Sequence, residues 1–198
     1  MIQDERAIIL RSRMGREFAD SVYRELEANH DGIFTIGDIE IAFHPNREPY
    51  IKLNTNVARR RVYVIHAFEG YGETGSPHEN YDPNVGSMAL LLINDALKRA
   101  SAGAITDVLP HIPWQRQDRK DEGRVPISAA IFMNLIGVAG GDNYERLITM
   151  EMHAGQQQGF VDYPVDNLYA NKIFAEYFRG LGDDFVVVSP DTGGISRA

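Results

Sequence analysis

The sequence contains no cysteine. That excludes disulfides and thiolate metal sites outright. Lysine is scarce, 4 residues against 16 arginines. Basic residues together number 20 against 28 acidic ones, a formal charge of −8. A binder of duplex DNA or of an anionic membrane surface is expected to carry the opposite balance. Long apolar runs are also missing. The longest, Met88 to Ile93, has six residues, against the ~20 a membrane-spanning helix needs. The amino terminus, MIQDERAIIL, holds two acids and a four-residue apolar run, and does not read as a signal peptide. A cytoplasmic location fits these absences.

What remains is an ordinary globular composition. The 198 residues are 43% hydrophobic and 24% charged, enough for one or two domains with a real core. The arginine bias suits planar, bidentate recognition of phosphate.

Strand-like and helix-like segments alternate along the chain. Ala7–Leu10 reads as a short buried strand. Met14–Glu27 reads as an amphipathic helix, with Phe18, Val22 and Leu26 on one stripe. Ile39–Phe43 and Tyr50–Leu53 are expected strands joined through Pro45, Asn46 and Pro49. Arg61–Phe68 reads as a central strand. The stretch 69–82, with glycines at 70, 72 and 75, is a long loop of the kind that often carries function. Asp82-Pro83 can cap and open a helix to about Ala102, ended by Gly103, with Leu90–Ile93 deeply packed. Ala104–Ile112 is a further strand, followed by the charged loop Gln115–Arg124. Pro126 opens a helix to about Val138, closed by Gly140-Gly141. Glu145–Met152 reads as a strand, Leu168–Arg179 as a helix, and Phe185–Val188 as a last strand.

Such alternation predicts an α/β fold, a mostly parallel sheet flanked by helices. Ligands of such folds gather in loops beyond the carboxyl ends of the strands. Three of those ends carry polar chemistry here. After the 104–112 strand comes Gln115-Arg116-Gln117-Asp118-Arg119-Lys120. Its arginines can hold phosphate oxygens in a two-pronged grip; a solvated charge run is the plainer alternative. After the 145–152 strand comes His153, within Glu151-Met152-His153-Ala154. An imidazole can ligate a metal or move a proton, although a lone histidine is often structural. If this stretch is extended, Glu151 points to the same side as His153. After the 185–188 strand comes Ser189-Pro190-Asp191-Thr192-Gly193-Gly194. There a carboxylate can bind Mg²⁺ and two glycines can admit a phosphate; an Asp-capped tight turn is the alternative. Asp38-Ile39-Glu40 puts two carboxylates on one strand face, a pattern that surface alternation explains equally well. His30, His44, His66, His78 and His111 show no spacing of the HExxH kind.

Taken together these segments resemble ribose-phosphate pyrophosphokinase, also called phosphoribosyl pyrophosphate synthetase. The resemblance is carried by DALKRASA (95–102), RQDRK (116–120), RVPISA (124–129), HAGQQQGF (153–160), PVDNL (164–168) and VSPDTGG (188–194). It implies a phosphoribosyltransferase-like domain over 1–163 and the incomplete beginning of a second such domain over 164–198. It also implies the family's reaction, Mg²⁺-dependent transfer of the diphosphoryl group of ATP to O1 of ribose 5-phosphate. By matching position, Arg116 and Gln117 would bind ATP, with Asp118 beside them. Asp38, Ile39 and Glu40 would reach the adenine pocket of a neighbouring subunit in a homo-oligomer. His153 and Asp191 would hold Mg²⁺. This chain differs from the family at Ile36 (usually aromatic), Ile39 (usually Gly) and Glu151 (usually Asp). The family's catalytic lysine belongs to a segment after Ala198, so the 198-residue chain is expected to be inactive alone. A non-catalytic regulatory or assembly homologue is the alternative reading.

Overall fold

A computed structural model describes residues 7–68, 83–180, 186, 188 and 189. Its elements run β1 (Ala7–Arg11), α1 (Arg16–Asn29), β2 (Phe34–Phe43), β3 (Pro49–Leu53), β4 (Arg61–Ile65), α2 (Pro83–Arg99), β5 (Ala104–Leu109), α3 (Ser128–Gly140), β6 (Tyr144–Met150), β7 (Val165–Leu168) and α4 (Asn171–Arg179). Short 3₁₀ turns precede α1 and β6 and cover Gly155–Phe160. The seven described strands form one sheet in the order β3-β2-β1-β4-β5-β6-β7. Every neighbouring pair is parallel except β2 with β3. The expected α/β architecture is therefore present.

The strands are apolar on both faces because both faces are covered. In β1, Ile8 and Leu10 enter the larger core with Leu90, Ile93 and Leu97 of α2 and Phe132, Met133 and Ile136 of α3. Ile9, pointing the other way, packs with Ala19, Val22, Tyr23 and Leu26 of α1. Full burial of each large aliphatic side chain contributes about 1.5–3 kcal/mol, so the fully buried Leu90, Ile93 and Leu97 hold α2 on that layer. None of the helices among the described residues is long and apolar enough to cross a membrane.

Several boundaries differ from the sequence reading. The buried stripe of α1 is Ala19, Val22, Tyr23 and Leu26, while Phe18 is 45% exposed. Alanine at 19 lets the helix approach β1 closely, and that rotates Phe18 off the interface. β2 begins at Phe34, five residues earlier than expected. Its first half pairs with β1, and only its second half forms the hairpin with β3. The 104–112 and 145–152 segments leave the sheet at Leu109 and Met150. Val165–Leu168 is a strand on β6, so the expected helix starts only at Asn171. The first compact unit extends to Leu168 and the second begins at Tyr169. In the second unit α4 exposes Ile173, Phe174 and Tyr177. The 69–82 loop, the Asp82 cap and the 185–188 strand as a whole lie outside the described residues.

Two buried polar groups and one half-buried tyrosine tie the layers together. His66, just past β4, has one ring nitrogen 3.0 Å from Ser12 Oγ and the other 3.0 Å from the Gly86 carbonyl of α2. Burial lowers its pKa to about 4, against the lesser opposing effect of the Gly86 bond. Asp107, in the middle of β5, accepts from Asn94 Nδ2 at 2.8 Å and from Tyr144 Oη at 3.1 Å. Burial raises its pKa to about 7, against those two bonds. Tyr163 packs edge-on against Tyr144 and donates to the Met133 carbonyl at 2.6 Å.

The Tyr163 ring also explains Gly137 in the middle of α3. A Cβ there would lie 2.7 Å from Tyr163 Cε1. Gly137→Ala is expected to lower stability by about 1 kcal/mol, because overpacking of 1–3 kcal/mol exceeds the helix-propensity gain of about 1 kcal/mol. A thermal melt checks the sign, which propensity alone would reverse.

Candidate functional site

β5 and β6 are adjacent and parallel, so the loops leaving their carboxyl ends must meet. They enclose an open cleft of about 240 Å³ lined by Arg116, Gln117, Asp118, Arg119, Asp121, His153, Ala154 and Gln156. Two stretches 35 residues apart in sequence, each singled out for its chemistry, thus form one site.

The corner after β5 is tight and left-handed at Trp114, whose φ is 69°. Its indole N–H donates to Ser87 Oγ of α2 at 3.2 Å, and its carbonyl accepts from the Gln117 N–H at 3.2 Å. A β-turn closed in this way throws Arg116 outward into solvent. Gln117 faces α3. Its side-chain oxygen accepts from the Ser128 hydroxyl, and its carbonyl accepts from the Ala129 N–H at 3.2 Å.

The loop after β6 turns just as sharply. Glu151 has φ 51°, in the left-handed region. The stretch is therefore not extended through His153, and the expectation that Glu151 and His153 share a strand face fails there. Glu151 does not line the cleft; His153 does. The Glu151 N–H donates to the Leu168 carbonyl and the Met152 N–H to Asn167 Oδ1. β7, which the sequence reading missed, thereby anchors the approach to His153.

The cleft mixes two guanidinium groups, two carboxylates and an imidazole. That set can bind a polyanion together with a divalent cation: arginine grips phosphate oxygens in a bidentate manner, and Mg²⁺ typically takes one or two carboxylates plus substrate phosphates. Among the described residues, no three His, Cys, Asp or Glu side chains are grouped to hold an ion by themselves. Of the two expected metal ligands, His153 lines this cleft. Asp191, the other expected metal ligand, lies outside the described residues.

Asp38, Ile39 and Glu40 are elsewhere. They lie on β2, with β1 and β4 between them and β5. Ile39 is buried in the core, whereas Glu40 is exposed. Arg11 grips Asp38 with both prongs, Nε to Oδ1 at 2.9 Å and Nη2 to Oδ2 at 3.0 Å. Arg16 adds a contact at 3.5 Å. The fold does not bring these three residues to the cleft of the same chain.

Arg119, one of the two arginines offered for phosphate, lines the cleft as well, whereas sequence reasoning gave no role to Asp121 or Gln156. It also gave no separate role to Gln115 and Gln157, which stand outside the lining of this cleft and bond one loop to the other.

The family model for the N-terminal domain of ribose phosphate pyrophosphokinase matches residues 7–140. The chain belongs to the ribose-phosphate pyrophosphokinase family. It is 42% identical over 193 residues to a ribose-phosphate pyrophosphokinase of Rhodopirellula baltica, covering 96% of this chain and 55% of that one. It is 40% identical over 197 residues to ribose-phosphate pyrophosphokinase 1 of Listeria monocytogenes, covering 98% and 56%. The crystal structure of phosphoribosylpyrophosphate synthetase from Mycobacterium smegmatis superposes with a TM-score of 0.80 at 32% identity, over 97% of this chain and 59% of that one. The chain thus spans about half the length of the curated relatives it matches, and its ribose-phosphate pyrophosphokinase fold is phosphoribosyltransferase-like.

Proposed function

We propose that this chain supplies the Mg-ATP side of a ribose-phosphate pyrophosphokinase. The observation that carries the reading is the convergence of Arg116, Gln117 and Asp118 with His153 in one cleft at the carboxyl ends of β5 and β6. In the proposed reaction the O1 hydroxyl of ribose 5-phosphate attacks the β-phosphorus of ATP. The bond from that phosphorus to the AMP oxygen breaks, and the hydroxyl loses its proton. Such a transfer needs alignment and charge compensation more than covalent help from the protein. Arg116 binds polyphosphate oxygens, Gln117 borders the nucleotide, and Asp118 shapes the corner. His153 and Asp191 would hold Mg²⁺, which would supply neutralisation of polyphosphate charge.

The position of β2, away from the cleft, supports a homo-oligomer in which Asp38, Ile39 and Glu40 serve a neighbour's adenine pocket. Ile39 offers only backbone there, because its side chain is in the core. The second compact unit, from Tyr169, is read as the start of a second phosphoribosyltransferase-like domain. A non-catalytic assembly homologue remains the second reading, favoured by the engagement of Asp38 with Arg11 and Arg16.

Arg116→Ala is expected to weaken Mg-ATP binding about thirtyfold, the loss of a charge-assisted contact worth about 2 kcal/mol. Calorimetric titration of the wild type and of this variant reads the effect. Equal affinity in both would remove the cleft from nucleotide binding. AMP release by a chain extended to the relatives' length separates the enzyme from the assembly homologue.

A further inference from the structure

Gln115 and Gln157 are two neutral amides buried where loops meet, 5% and 0% exposed. Gln115 Nε2 donates back to the Ile112 carbonyl at 2.9 Å. Its Oε1 accepts from the backbone N–H of His153 at 2.7 Å. Gln157 returns the connection: its Nε2 donates to the Gln115 carbonyl at 2.8 Å and reaches Asp118 Oδ2 at 3.4 Å. Each amide belongs to one loop and fastens the other. Together they link the main chain at Gln115, next to Arg116, and the Asp118 carboxylate to the loop that carries His153.

Stability alone is a poor reason for this arrangement. Gln157 Oε1 is buried without a partner, and an orphaned acceptor costs more than an apolar side chain of the same size. An apolar residue would fill the same space without that cost. What the amides add is directional: bonds to main-chain atoms fix the separation and register of two loops whose Arg116 and His153 are exposed. We propose that Gln115 and Gln157 form an amide clasp that positions the Arg116–Asp118 corner against the His153 loop. The clasp rests on the nucleotide reading of this cleft, since its purpose is to hold the phosphate-gripping and metal-side groups at one spacing. Both glutamines are positioning residues, acting through the backbone of their neighbours.

The test uses the full chain, with Gln157→Leu, Gln115→Leu, Gln115→Glu and the double leucine variant, and Mg-ATP as the probe. Gln157→Leu is expected to leave the melting temperature unchanged or raised while weakening Mg-ATP binding about tenfold, the value of one well-placed bond. The double leucine variant should bind no worse than the weaker single one, because the clasp acts as a unit. Without nucleotide, amide hydrogen exchange at His153 should speed up in Gln115→Leu and stay slow in Gln115→Glu, which keeps the acceptor. Slow exchange at His153 in Gln115→Leu overturns the clasp. So does a Gln157→Leu protein that melts lower yet binds Mg-ATP like the wild type. Should that variant not fold, Gln157→Met is read by the same two measurements. Fast exchange in Gln115→Leu, with no Mg-ATP binding by the wild type, upholds the clasp as a structural link and overturns the nucleotide reading instead.

Discussion

Asp107→Asn is expected to stabilise the protein at pH 8 by about 2–4 kcal/mol and to leave it nearly unchanged at pH 4. Asp107 lies wholly buried, and its carboxyl pKa is raised to about 7, chiefly by burial. The native state therefore keeps a proton that the unfolded chain releases above its ordinary value of 3.8. Stability from this group is complete below 3.8. It falls as pH rises to about 7, and the full penalty persists above that. Asn94 and Tyr144 both donate to Oδ2, and no donor is left for the remaining oxygens. Asp107 Oδ1 and Asn94 Oδ1 are both buried acceptors without partners, and the nearby titratable groups, Tyr144 and Tyr163, are kept neutral by burial. A protonated carboxyl supplies that donor below pH 7. An asparagine supplies it at every pH and can still accept from Asn94 and Tyr144. Urea unfolding between pH 4 and 8 reads the difference. A variant curve parallel to the wild type, or lower at pH 8, would mean that Asp107 is not the proton carrier.

His66→Ala is expected to destabilise the protein by about 3–5 kcal/mol at pH 7, through a cavity and a hydroxyl left without its acceptor. Ser12 Oγ loses its bond to the ring yet still receives the Gly15 N–H at 3.2 Å. The edge-on contact with Phe68, 5.0 Å between ring centres, goes as well. The sign of the pH effect is opposite to that of Asp107. The buried imidazole stays neutral to about pH 4, whereas the unfolded chain takes up a proton below 6.5. Its contribution is complete above 6.5 and declines as pH falls to about 4. Between about pH 4 and 6.5 the two groups therefore pull in opposite directions, and their slopes largely cancel in the wild type. Asp107→Asn should expose the histidine slope, with stability rising with pH. His66→Ala should expose the aspartate slope, with stability falling. Two variants with identical slopes over that window would refute the pairing.

Much of this molecule is legible in its residues. The apolar quartets at 7–10 and 62–65 read as short strands covered on both faces, and the run at 88–93 reads as part of a packed helix because it sits within a longer segment between Pro83 and Gly103. The strand ends that matter chemically were also visible, since Arg116, Gln117 and His153 stand just after apolar segments. Phe18 shows the limit. Helical spacing admits two adjacent stripes, and only the close approach of Ala19 to β1 chose between them. β7 was lost because four residues with two polar ones, Val165–Leu168, give too little pattern to distinguish an edge strand from a helix start.

By itself the sequence determined the α/β class, the family and the two loops with candidate site residues, because each depends on residues close together in the chain. The tertiary structure alone decided that β5 and β6 lie side by side, which turns two motifs into one cleft. It placed Asp38 in the grip of Arg11 and kept the 38–40 stretch away from that cleft. It also made His66 and Asp107 buried groups with opposed protonation, and Gln115 and Gln157 a link across 42 residues. All of these are contacts between segments distant in the chain, and a side chain's partner across such a distance is set by strand order and loop geometry rather than by its neighbours in sequence.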